Sequence, residues 1–78
     1  SSYNGIGRLY DRIGEFKTAL SHYNKALDIR QKVLSENHAD IGMVHYNIGM
    51  LHRRRGDQAL SLWYFAECKR IWLIALPK

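Results

Sequence analysis

Residues 3–34, YNGIGRLYDRIGEFKTALSHYNKALDIRQKVL, decide the fold. Tyr3, Ile6, Tyr10 and Ile13 fall at spacings of three and four, with Leu9 beside them. That is the apolar stripe of an α-helix. Gly14 follows where a glycine is expected just past a helix C-terminus. A second stripe then runs through Phe16, Ala19, Leu20, Tyr23, Ala26, Leu27, Ile29, Val33 and Leu34. The spacing predicts helices over about residues 2–13 and 16–34, and the short turn between them makes the two antiparallel.

Working outward, SENHAD at 35–40 reads as a linker ending in a helix start. Asn37 supplies a capping side chain, and Asp40 places a carboxylate near the positive end of the helix dipole. A third helix is expected over 39–54, with a face of Val44, Ile48, Leu51 and His52. Gly56-Asp57 ends it, and a fourth helix over 58–76 is closed by Pro77.

The second half repeats the first. At an offset of 42 residues, Ile6 meets Ile48, Gly7 meets Gly49, Leu9 meets Leu51 and Gly14 meets Gly56. The same offset aligns Leu20 with Leu62, Tyr23 with Phe65, Ala26 with Cys68, Ile29 with Ile71 and Leu34 with Leu76. Nine ungapped matches at one offset define an internal repeat. Small residues such as Gly7, Ala19 and Ala26 let helices approach closely, and aromatic knobs such as Tyr23 fill the space around them.

Composition is consistent with this. Of 78 residues, 46% are hydrophobic, which excludes a disordered chain, and the only proline is near the end. A single cysteine, Cys68, excludes an internal disulfide framework and a cysteine-based zinc site, and fits a reducing, cytoplasmic compartment. The longest apolar run, 71–76, is far too short for a transmembrane segment. Beginning at Ser1 with no signal peptide, the chain is read as a soluble excerpt of a longer protein.

These residues resemble the tetratricopeptide repeat. In the first repeat the family pattern is carried by Tyr3, Ile6-Gly7, Tyr10, Gly14, Ala19, Tyr23 and Ala26. The longer period resembles the kinesin-light-chain variety, although that variety's His-Pro linker is His38-Ala39 here. The resemblance implies an all-α unit over residues 1–78 made of two helical hairpins. The first repeat spans 2–36 and a degenerate second repeat spans 38–78, as a fragment of a right-handed superhelix. His45 and His52 replace Tyr3 and Tyr10, Ser61 replaces Ala19, Gln58 replaces Phe16, Lys69 replaces Leu27 and Arg55 replaces Ile13. Poorer or rearranged packing is therefore expected in the second repeat. The packing set expected overall is Tyr3, Ile6, Gly7, Tyr10, Gly14, Ala19, Leu20, Tyr23, Ala26, Ile48, Gly49, Leu51, Gly56, Leu62, Phe65, Cys68 and Ile71.

The resemblance further implies a protein-binding scaffold, with no cofactor, whose concave groove is lined by the first helix of each hairpin. Its peptide-binding candidates are Asn4, Arg8, Arg12, Tyr46, Asn47, Met50, Arg53 and Arg54. Gly5, Asp11 and Met43 lie on the same faces. An asparagine amide can both donate to and accept from an extended guest backbone. The arginines point to an acidic peptide, because guanidinium matches carboxylate bidentately. A net charge of +5 also admits a nucleic-acid-binding module, with Tyr46 or Trp63 stacking on bases. Against that, the basic residues are scattered over four helices without a nucleic-acid motif. A purely structural or oligomerisation segment is the other alternative.

An enzyme is not indicated: no nucleophile–base set or phosphate loop occurs, and Gly5-Ile6-Gly7 lies inside a helix. His45 and His52 are seven residues apart, too far to share one metal ion, and His52 reads as packing in the slot of Tyr10. The fourth helix is apolar on several sides, through Trp63, Tyr64, Phe65, Ile71, Trp72, Leu73, Ile74 and Leu76. It is expected to pack on a following repeat, another domain or a second copy of the chain.

Overall fold

The computed structural model describes residues 2–33 and 39–75. Within them α1 (Ser2–Arg12), α2 (Phe16–Val33), α3 (Ala39–Arg54) and α4 (Gln58–Ala75) form two helical hairpins. The Leu34–Leu76 match, the Asn37 cap, most of the linker and the Pro77 stop lie outside the described residues.

The two turns have the same construction. Gly14 and Gly56 adopt φ of 85° and 86°, a region that costs glycine no Cβ clash. In the first turn, Glu15 N donates to Tyr10 O at 2.9 Å and Gly14 N to Asp11 O at 3.1 Å. In the second, Asp57 N donates to His52 O at 2.9 Å and Gly56 N to Arg53 O at 3.1 Å. This is the Schellman arrangement, which satisfies the last carbonyls of α1 and α3. Asp57 does more than end α3. Its Oδ1 accepts from Leu60 N at 3.1 Å and so caps the start of α4.

The hairpins close on glycine–aromatic contacts at the same offset. A Cβ on Gly7 would stand 2.7 Å from the Tyr23 ring, and one on Gly49 2.7 Å from the Phe65 ring. The shared core joins Ala19, Tyr23 and Ala26 of α2 to Val44, Ile48 and Leu51 of α3, with Leu20, Leu27 and Tyr64 packed against it. At the other end of the second hairpin, Trp72 lies over Gly42 and its Nε1 donates to Ala39 O at 3.0 Å. Asp40, read from the sequence as a dipole-facing carboxylate, is in the first turn of α3 and pairs with Arg30 of α2 at 3.3 Å.

Several expectations are corrected. In the α1 stripe, Tyr3, Ile6, Leu9 and Ile13 are all exposed. Among the described side chains of α1, Gly7 and Asp11 alone are buried. Leu9 is 59% exposed whereas its counterpart Leu51 is 0% exposed, because α2 covers α3 and no described helix covers the matching face of α1. Leu62 is exposed for the corresponding reason at the far end, and Ile29 is exposed while Ile71 is buried.

The aromatic packing of the second repeat is rearranged, one of the two outcomes expected from its substitutions. His52 stacks on Tyr64 at 5.6 Å and 15°, just as Tyr10 stacks on His22 at 5.4 Å and 19°. His45 leans on Tyr64 at 5.9 Å, as Tyr3 leans on His22 at 6.1 Å. Two tyrosines around a histidine have become two histidines around a tyrosine, so the cluster is conserved in shape while its members exchange identity. Arg55 likewise gains a role, lying 5.7 Å over the Phe16 ring across the two hairpins.

Candidate functional site

Helices α1 and α3 run side by side, and α2 closes the space behind them. Between them is a hollow of about 210 Å³ lined by Arg8, Asp11, Arg12, Tyr23, Tyr46, Asn47, Met50 and Arg54. Six of the eight residues expected to face a guest therefore converge on one place. The other two lie in adjoining hollows, Asn4 beside Met43 and Arg53 beside Leu62 and Phe65. A larger hollow at the α3–α4 turn is lined by Arg55, Gly56 and their neighbours and does not reach these groups.

Two interactions across the repeats build the walls. Asn47 Nδ2 donates to Asn4 Oδ1 at 2.9 Å. Arg54 grips Asp11 through both carboxylate oxygens, Nη2 donating to Oδ2 and Nε to Oδ1, the latter at 3.3 Å. The Asp11 side chain is only 2% exposed, so its charge is dry and depends on Arg54. These contacts modify the sequence reading. Arg54 neutralises a buried carboxylate, and Asp11, although it borders the hollow, exposes almost none of its side chain. Asn4 and Asn47 satisfy part of each other's hydrogen-bonding capacity.

Arg8, Arg12 and Arg53 are exposed, and among the described residues no carboxylate pairs with them. Tyr46 is half-exposed and packs on Phe65 at 5.6 Å. Tyr23 reaches the hollow from α2, and burial pushes its phenol up to about 12, with Arg8 pulling weakly the other way. The hollow thus presents a positive rim over an aromatic and thioether floor.

The groups raised for other chemistries lie elsewhere. His22 and His45 each hold a backbone carbonyl through Nδ1 at 2.9 Å, from Thr18 and Ile41. Cys68 is buried in the α3–α4 hairpin, and burial raises its thiol, which disfavours the thiolate. Trp63 packs edge-on against its neighbour Tyr64 on α4, and Arg70 pairs with Glu67.

Burial also lowers His52, with Asp57 opposing and Arg55 assisting, so the fold resists protonation of this imidazole. Above the unfolded-state value of about 6.5 this has no effect on stability. As pH falls below it, the unfolded chain binds a proton that the folded chain resists, and stability declines. Thermal melts between about pH 5 and pH 8 are expected to show a falling Tm below about 6.5. His52→Gln should flatten that slope. An equal slope in the variant would remove His52 as its source.

The sequence reading missed three features of this region: the His22–Tyr64 exchange, the Asn4–Asn47 pair and the Asp11–Arg54 pair. The first was available, because Tyr64 falls on His22 at the same offset that aligns the two halves. The other two join helices of successive repeats, for which one helix's periodicity carries no signal.

A stack of two like helical hairpins, with Gly14 and Gly56 turning each in the same way, defines a helical-repeat protein. A tetratricopeptide repeat family model matches residues 1–73, and the chain belongs to that family. No curated protein and no solved structure matches it. Repeats of this family are typically non-enzymatic scaffolds for protein–protein interaction. No helix of the described residues is long and apolar enough to cross a membrane.

Proposed function

We propose that the α1–α3 hollow holds an extended or helical acidic peptide, in a cytoplasmic scaffold of the kinesin-light-chain-like variety. The observation that carries this reading is the convergence of Arg8 and Arg12 with Tyr46, Asn47 and Met50 on one hollow. Carboxylates of the guest meet the guanidinium rim, and its apolar side chains meet Tyr46 and Met50. Asn47 spends one N–H on Asn4, which leaves its carbonyl oxygen and second N–H for the guest backbone. Arg54 holds the wall through Asp11 and contributes its remaining N–H groups. Further repeats or another chain would cover the exposed face of α1 as α2 covers α3, and would cover part of α4.

The test uses the double variant Arg8→Ala/Arg12→Ala and a fluorescent Asp/Glu-rich peptide. Its Asn/Gln counterpart and a single-stranded oligonucleotide serve as competitors. Loss of about tenfold or more in affinity, equivalent to about 1.4 kcal/mol, is expected with an unchanged Tm. Unaltered peptide binding defeats the proposal. Preferential, steeply salt-dependent binding of the oligonucleotide would replace it with the nucleic-acid reading.

A further inference from the structure

Helix α4 carries an exposed stripe that the repeat does not require. Leu60, Trp63, Glu67, Arg70 and Ile74 follow one another at spacings of three, four, three and four, the spacing of a coiled-coil seam. Leu60, Trp63 and Ile74 are 37%, 55% and 53% exposed. Glu67 and Arg70 lie between them on the same stripe and pair at 3.2 Å. At the corresponding positions of α2 stand Thr18, Ser21, Lys25, Asp28 and Lys32, all polar and mostly exposed. The apolar character is therefore specific to α4.

It is also misplaced for stacking another repeat. In α2, Leu20 and Leu27 pack against the core that α2 shares with α3. Their counterparts in α4 are Leu62 and Lys69, on a different stripe, where one of the two apolar positions has become a lysine. The large exposed Trp63 and Ile74 lie to the other side.

We infer that this stripe pairs with the same stripe of a second copy of the chain, the two α4 helices running antiparallel about a two-fold axis that passes between Glu67 and Arg70. In that register Trp63 of each copy faces Ile74 of the other, and Glu67 of each faces Arg70 of the other. In both of these pairs the one stripe supplies the two halves, as an isologous interface demands. A parallel pairing would set Glu67 on Glu67 and Arg70 on Arg70, so the charges select the antiparallel arrangement. In the free chain Glu67 and Arg70 pair with each other, and in the dimer they exchange partners. The surface is separate from the α1–α3 hollow and does not depend on what that hollow binds.

Sedimentation of the chain in reductant, over about 1 to 500 µM, tests this, because a seam of this length gives a concentration-dependent dimer. The wild-type chain is expected to dimerise. Glu67→Arg puts four arginines at the centre of the seam and Arg70→Glu puts four glutamates there. Each is expected to weaken dimerisation by at least about tenfold. An equimolar mixture of the two variants restores opposite charges at every facing pair, and is expected to recover dimer mass. Lys69→Glu, on the neighbouring stripe, is expected to leave the dimer intact. Circular dichroism of each variant establishes that it is folded, and the reversed side chains are exposed enough to be accommodated. A chain that stays monomeric throughout overturns the inference. So does a dimer indifferent to both reversals, a mixture that fails to recover dimer mass, or disruption by Lys69→Glu equal to that by Glu67→Arg.

Discussion

Leu51→Ala is expected to reduce the unfolding free energy by about 3 kcal/mol, whereas Leu9→Ala, the same change at the same repeat position, should cost less than about 1 kcal/mol. Both leucines fall on the apolar face of the first helix of a hairpin. Leu51 is fully enclosed among Ile48, Val44 and the Ala19–Tyr23–Ala26 row of α2. Truncating it removes buried methyl groups and leaves a cavity that two rigid helices cannot close. Leu9 stands mostly in water, where there is little buried area to lose. Urea unfolding followed by circular dichroism measures the difference, with the slope m unchanged in both variants. Equal losses at the two positions would mean that something covers α1 in solution as α2 covers α3. The contrast is a property of repeat proteins: a residue's energetic weight is set by its neighbour in the stack as much as by its own hairpin.

That contrast also marks how far periodicity can be read. The stripe of α1 was legible because helical spacing assigns each residue to a face. Whether anything lies against that face is not encoded in the spacing, and Ile6, Leu9 and Ile13 are exposed for that reason. The turns were legible because a left-handed residue after a helix strongly selects glycine, and Gly14 and Gly56 meet that requirement in the same way. Matching the halves aligned Gly7 with Gly49 and Tyr23 with Phe65, and the structure sets each glycine against its aromatic. The same matching held the aromatic cluster, but only when its three positions were taken together. Replacing Tyr10 by His52 alone reads as lost packing. With Tyr64 in place of His22, the stack is restored. At the groove, the face of each residue was legible and its partner was not. Arg54 and Asn47 line the α1–α3 hollow and were read as guest-facing, while the helix beside them supplied Asp11 and Asn4.

The Asp11–Arg54 pair gives the second large expected effect, and it is asymmetric. Arg54→Ala should destabilise the fold by about 2–4 kcal/mol, because it leaves a carboxylate that is almost wholly removed from water without its counter-charge. Asp11→Ala should cost less, about 1–2 kcal/mol, because the Arg54 side chain is 44% exposed and its freed guanidinium can be solvated. Replacing both, as in Asp11→Leu/Arg54→Met, should recover most of the loss, since neither charge is then stranded. Denaturant unfolding of the two single variants and the double variant measures this as a coupling energy. Equal losses in the two single variants, or simple additivity in the double, would show that the pair is hydrated and contributes only as a surface ion pair. The result also governs how groove variants are interpreted. If Arg54→Ala loosens the junction between α1 and α3, it will weaken binding of an acidic peptide without having touched it. Arg8 and Arg12 carry the same charge at the same hollow but hold no carboxylate among the described residues, so their loss reports on the guest alone.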